Sequence, residues 1–138
     1  MPRESFHQEM REIEEAVIQM ASLVENEIAR AMQALVRRDA LLADDVKASD
    51  GMVNELQRNI RNRCISVMAR QAPVARDLRE LTTVQLVINE LERMGDHAVG
   101  IAKQVARLKD FEPLAITGEL SEMAKLVREQ VHAGIEAF

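Results

Sequence analysis

The chain reads as an all-α protein: an antiparallel three-helix bundle followed by a fourth helix. Three observations predict this. Aromatic residues are nearly absent (three Phe, no Trp, no Tyr), and Gly and Pro are scarce, with five and three; strands favour aromatic and β-branched residues, and turns need Gly and Pro. Apolar residues recur at spacings of three and four over long stretches, the stripe of an amphipathic helix. The breaks between those stretches are few and short.

The first segment, about 3–36, carries Phe6, Met10, Ile13, Val17, Met20, Val24, Ile28, Ala31 and Leu35 on one stripe. Glu4, Glu9, Glu12, Glu14 and Glu15 crowd its first half and Arg37 and Arg38 its end, both favourable to the helix dipole. Asp39 reads as a turn residue and N-cap. The second segment, about 40–70, has Leu42, Val46, Val53, Leu56, Ile60, Cys64 and Val67, with Gly51 as a point of bending. Ala72-Pro73 supplies a stop and a restart, Pro73 suiting the first turn of the next helix. The third, about 74–109, carries Leu78, Leu81, Val84, Ile88, Leu91, Gly95, Ala98, Ala102, Val105 and Leu108, and ends at Asp110-Phe111-Glu112-Pro113. The fourth, about 114–138, shows Leu120, Met123, Val127, Val131, Ile135 and Phe138. Helices this long span roughly 45–55 Å at 1.5 Å per residue, and short turns make neighbours antiparallel.

Composition bounds the function. With 138 residues, 47% hydrophobic and 30% charged, the chain suits one compact soluble domain. A net charge of −5 argues against nucleic-acid binding. The single Cys64 excludes an intrachain disulfide and fits a reducing compartment; its place on the stripe makes it a core residue. No apolar run approaches the ~20 residues of a membrane span, so no membrane insertion is expected and a cytoplasmic location is. There is no Gly-rich phosphate loop, HExxH or Ser/His/Asp order, and no nucleophile is visible.

An internal repeat is present at an offset of 103. Met20-Ala21-Ser22-Leu23-Val24 returns as Met123-Ala124-Lys125-Leu126-Val127, and Ile28, Ala34 and Leu35 return in kind as Val131, Ala137 and Phe138. Two amphipathic helices always align somewhat. The preferred reading is that a second copy of the three-helix unit begins near residue 104 and stops after its first helix, which gives a first bundle at 1–110 and the opening helix of an incomplete repeat at 111–138.

The polar stretch that stands out is Asn89-Glu90-Leu91-Glu92-Arg93-Met94-Gly95-Asp96-His97-Ala98. Glu92 and Asp96, four apart on one face, repel by a few tenths of a kcal/mol on an isolated helix. A cation, a basic side chain or water must offset that. Measured from a turn near Ala72, Asp50 and Asn54 lie 22 and 18 residues before it, Glu92 and Asp96 20 and 24 after it. All four fall ~27–36 Å from the turn. Three carboxylates and an amide can therefore meet between two helices. Such oxygen clusters suit hard or borderline metal ions and would be costly to crowd without one. Solvated helix faces are the competing reading. His97 points about 100° away from Asp96, which weakens a zinc enzyme, and Arg93 is on another face. Arg58, Arg61, Arg63, Arg70, Arg76 and Arg79 gather towards the second turn against Asp77 and Glu80, as a docking patch or as ordinary helix-end charge. The eight Met residues read as adaptable core filler.

Three patches resemble the PhoU family of phosphate-uptake and phosphate-regulon regulators: Asp50-Gly51-Met52-Val53-Asn54-Glu55-Leu56, then Pro73-Val74-Ala75-Arg76-Asp77-Leu78-Arg79, then Leu91-Glu92-Arg93-Met94-Gly95-Asp96-His97-Ala98 with Ile101-Ala102-Lys103. The resemblance implies two tandem three-helix bundles and a multinuclear metal cluster, iron or zinc, on the Glu92-x-x-x-Asp96 motif, with Asp50, Asn54 and Asp77 as the other matching positions. Asp77 sits far from Glu92 along the hairpin. The resemblance further implies a non-catalytic regulator that contacts the phosphate transporter ATPase and a sensor histidine kinase. The short second repeat makes a truncated product an expectation, and a lone fourth helix with an apolar stripe favours a homo-oligomer. A metal-dependent enzyme or metal store, and a purely structural helical module, are the alternatives.

Overall fold

The computed structural model describes residues 2–112 and 117–138. Four helices are present among them: α1 (Pro2–Arg37), α2 (Ala40–Gln71), α3 (Ala75–Arg107) and α4 (Thr117–Ala137). Pro113 and Leu114, where the sequence places the last helix stop and restart, lie outside the described residues.

Local chemistry sets the connections. Between α1 and α2, Arg38 takes a left-handed backbone (φ 56°) and Asp39 caps α2, its Oδ1 accepting from Leu42 N at 3.0 Å. The Arg38 guanidinium donates to the carbonyl of Leu108, so the turn after α1 is tied to the end of α3. Between α2 and α3, Ala72 is left-handed (φ 42°). Pro73 does not enter the first turn of α3; Val74 is the N-cap and the helix starts at Ala75. Gly51 does not break α2.

The stripes of α1, α2 and α3 form a common core. Ile13, Met20, Ile60, Leu81 and Ile88 are fully buried, as is Cys64, and each large apolar side chain removed from water contributes about 1.5–3 kcal/mol. Two ion pairs lash α2 to α1 from outside, Arg70 with Glu9 at 2.8 Å and Arg63 with Glu12 at 3.8 Å. Leu78, expected on the core stripe, is instead exposed in the first turn of α3.

The fourth helix packs on α1. It stands off from α3 and leaves a groove of about 520 Å³ lined by Leu86, Val87, Leu91 and Met94 of α3 with Val127 and Val131 of α4. Positions repeated at the offset of 103 differ in environment. Met20 and Val24 are fully buried under α2 and α3, whereas Met123 is 60% and Val127 40% exposed; Ala31 and Ala34 are buried, Gly134 and Ala137 open. The stripe that α1 covers twice is covered once in α4.

Candidate functional site

The hairpin register brings together the polar residues that the spacing selected, and adds one. Asn54 Nδ2 donates to Asp50 Oδ2 at 3.3 Å across one turn of α2. Glu92 and Asp96 share a hydrogen bond on α3, which requires one carboxyl to hold a proton and so raises Glu92. Burial is the larger cause of that rise; Asp96 and Asp50 add repulsion, and Arg61 opposes it. Asp50 is raised too, first by burial, then by Asp96, against the Asn54 hydrogen bond and Lys103. The basic side chains near the site thus relieve part of the repulsion that the Glu92–Asp96 spacing creates. Arg93 is not among them: it pairs with Glu90 at 2.9 Å.

The residue added is Glu27 of α1. It is 1% exposed and is the one buried charged residue among those described. Position 27 continues the run Met20, Val24, Ala31, Ala34, so helical spacing carries this carboxylate into the interior. It ends against α2 and α3. A Cβ placed on Gly95 would lie 3.2 Å from Glu27 Oε2 and 3.2 Å from Asp50 Oδ1, so α3 approaches these carboxylates closely only because residue 95 has no side chain. Both oxygens lack a hydrogen-bond partner. Burial pushes Glu27 up to about 7; Asp50 adds to the rise, and Ser49, then Arg30, oppose it.

Ser49 favours the Glu27 anion, but its support is divided. Its hydroxyl lies 2.9 Å from the Val46 carbonyl and 3.3 Å from Glu27 Oε1, and has one hydrogen for two acceptors. The longer contact to Glu27 leaves burial as the larger influence on that carboxyl. Arg30 Nη2 completes the chain, donating to Ser49 Oγ at 3.1 Å.

Asp77 does not belong to this cluster. It lines a hollow of about 280 Å³ at the α2–α3 turn with Arg3, Phe6 and Gln71. It is 19 residues from Asp96 along α3, about 28 Å at the helical rise. His97 is exposed. The cluster therefore consists of Glu27, Asp50, Asn54, Glu92 and Asp96, carried by three helices.

Its donors are hard oxygens, the chemistry that a divalent or trivalent ion prefers. Two of them, Glu27 Oε2 and Asp50 Oδ1, are buried without partners, as groups meant for a further ligand or a proton would be. In the present arrangement no three His, Cys, Asp or Glu among the described residues stand close enough to hold one ion. The donor set fits a metal; its positions stop short of a formed site.

The family model for the PhoU domain matches residues 17–105, from the middle of α1 to the end of α3. This chain belongs to the PhoU domain family. A phosphate-specific transport system accessory protein PhoU homolog from Clostridium acetobutylicum is 32% identical over the whole chain, which spans 64% of that relative. The homolog from Aquifex aeolicus is 35% identical over 94% of the chain and 59% of the relative. Among solved structures, PhoU from Pseudomonas aeruginosa superposes with a TM-score of 0.91 at 30% identity, covering 96% of this chain and 64% of that one. The phosphate transport system regulatory protein PhoU from Streptococcus pneumoniae gives 0.88 at 31% identity, covering 96% and 62%. The chain thus spans about three fifths of the length of its PhoU relatives. No described helix is long and apolar enough to cross a membrane.

Proposed function

We propose that this chain is a non-catalytic regulator accessory to phosphate transport, acting by contact with the transporter ATPase and a sensor histidine kinase in the cytoplasm. The family match over residues 17–105 carries this reading; the relatives, known as accessory proteins of a phosphate-specific transport system, agree with it. Pull-down of the ATPase and of the kinase from phosphate-replete cells tests it. Contact with at least one is the expected outcome, and contact with neither removes the reading.

The acidic cluster is proposed as a metal-binding element of that regulator, with Asp50, Glu92 and Asp96 as ligands, Glu27 closing the site from α1 and Asn54 orienting Asp50. A bound iron or zinc ion would neutralise like charges and brace three helices against one another. Elemental analysis of protein purified without a metal-affinity step, wild type against Glu92→Ala/Asp96→Ala, is the test. Metal retained in the wild type and lost in the variant is expected; equal content in both would remove the cluster from the account.

The fourth helix is proposed as the first helix of a second repeat, residues 111–138, after a first bundle at 1–110. Met123 and Val127 are exposed where Met20 and Val24 are buried, so α4 presents a stripe suited to a hairpin of the α2–α3 kind or to a second copy of the chain. A homo-oligomer follows from the second case, and light scattering of the purified chain distinguishes the two.

A further inference from the structure

The structure divides the arginines near the second turn, of which only Arg61 reaches the acidic site, through its charge on Glu92. Arg63 and Arg70 are consumed by Glu12 and Glu9 of α1. The two acids that the sequence sets beside the cluster turn away from it: Glu80 shares a hydrogen bond with Glu14 of α1, and Asp77 lines the hollow at the turn. Arg58, Arg61, Arg76 and Arg79 remain exposed, and none is in an ion pair among the described residues; Arg58, Arg61 and Arg79 are the three set among exposed aliphatic side chains. Arg61 donates only to Asn89, at 3.1 Å, a contact that also fixes the register of α2 on α3.

Apolar side chains lie between them. Ile65 is 53% and Leu78 45% exposed, and Leu86, at the edge shared with the α3–α4 groove, 63%. With the turn near Ala72 as origin, Arg58, Arg61 and Ile65 precede it by 14, 11 and 7 residues, and Leu78, Arg79 and Leu86 follow it by 6, 7 and 14. All six fall within about 21 Å of the turn. Helical spacing turns them to the outer side of the hairpin, away from α1: the core positions Ile60, Cys64 and Val67 of α2 and Leu81, Val84 and Ile88 of α3 lie on the other side. The hairpin thus carries a face of three unpaired guanidiniums around three exposed aliphatic side chains, on a chain whose net charge is −5.

We propose that this outer α2–α3 face is a docking surface for an acidic amphipathic helix of a partner protein. Carboxylates on the partner would pair with Arg58, Arg61 and Arg79, and apolar residues at its i, i+3/i+4 and i+7 positions would cover Ile65, Leu78 and Leu86. Arginine among exposed aliphatics is the composition that protein interfaces favour. A bilayer of anionic lipid is the competing partner for a basic and apolar face. A bilayer would spread along the seam to Asp50, Glu92 and Asp96, which its anionic headgroups would meet, whereas a partner helix of about two turns seated on Ile65, Leu78 and Leu86 stops short of them.

The proposal rests on the reading of the chain as a regulator that works through protein contacts, and binding to a defined peptide separates the two. The probe is a synthetic helix with Glu on its polar face and Leu on its apolar stripe, labelled for fluorescence anisotropy. A scrambled peptide of the same composition and a version with Lys for Glu serve as controls. The intact chain should bind the acidic amphipathic peptide and neither control, and added salt should weaken the complex. Arg58→Glu/Arg79→Glu should reduce affinity at least tenfold with unchanged helicity by circular dichroism, and Ile65→Asp should do the same without reversing a basic charge. No binding, equal binding of the scrambled peptide, or affinity untouched by these variants would overturn the proposal. Binding of phosphatidylglycerol vesicles that the Arg variant abolishes would overturn it in favour of a membrane. Loss of peptide binding alongside intact contact with the ATPase or kinase rejects this face alone; peptide binding without either contact rejects the regulator.

Discussion

Glu27 couples the interior of the bundle to pH in the neutral range. Its carboxyl titrates near 4.5 in an ordinary setting and near 7 in the fold, where burial and Asp50 disfavour the anion. Between those two values the folded chain holds a proton that the unfolded chain has released. Stability is therefore fully present below about 4.5 and declines as pH rises through 7. A shift of this size corresponds to at most about 3 kcal/mol. Asp50, Glu92 and Glu14, all raised, have the same sign. Glu27→Gln keeps a neutral, hydrogen-bonding side chain of the same shape. In chelator-treated protein, urea unfolding at pH 5.5 and 8.0 should show the wild type losing about 1–3 kcal/mol over that interval. The variant should lose clearly less, and should be the more stable of the two at pH 8.0. Identical slopes for both would place the proton elsewhere.

Along α3, glycine has two different consequences. Gly100 has nothing within 4 Å of a built Cβ, so Gly100→Ala should recover helix propensity and stabilise by about 0.5–1 kcal/mol. Gly95 gains the same propensity, but its new methyl meets Asp50 Oδ1 and Glu27 Oε2 at 3.2 Å. Those carboxylates have to yield, and the gain should shrink or reverse, leaving the two variants about 1 kcal/mol apart in urea unfolding. Equal effects would mean that the close approach at Gly95 costs nothing. The helices themselves were legible in the sequence because nearly every core position of α1, α2 and α3 obeys the three-and-four spacing. Asp50, Asn54, Glu92 and Asp96 were legible by counting from the turn. Glu27 was not, although it lies on the stripe between Val24 and Ala31: a hydropathy pattern skips a charged residue, while geometry places it by position alone. Asp77 came from a motif resemblance and failed on distance, which the same count from the turn already indicated. Leu78 and Met123 share the core periodicity yet face solvent, because periodicity finds a face and says nothing of whether another element covers it.

At the scale of the whole molecule, the α1–α4 pair distributes stability unevenly. Helix α1 buries its stripe against α2, α3 and α4, whereas α4 contacts α1, and Val131 is its one buried residue among those described. Local opening costs what the opened contacts were worth, so α4 should open without the rest of the bundle. Native-state hydrogen exchange should find the central amides of α1, α2 and α3 protected to the global unfolding limit and those of α4 less protected by about 2 kcal/mol or more. The dependence on protein concentration then identifies what covers the exposed stripe. Protection in α4 that climbs with concentration marks a second copy as the cover, since mass action stabilises only the bound helix. Protection that stays low at every concentration leaves the stripe to a hairpin of the α2–α3 kind. Equal protection of all four helices in dilute solution would mean that the single contact with α1 holds α4 as firmly as two contacts hold α2 or α3, whatever their difference in burial.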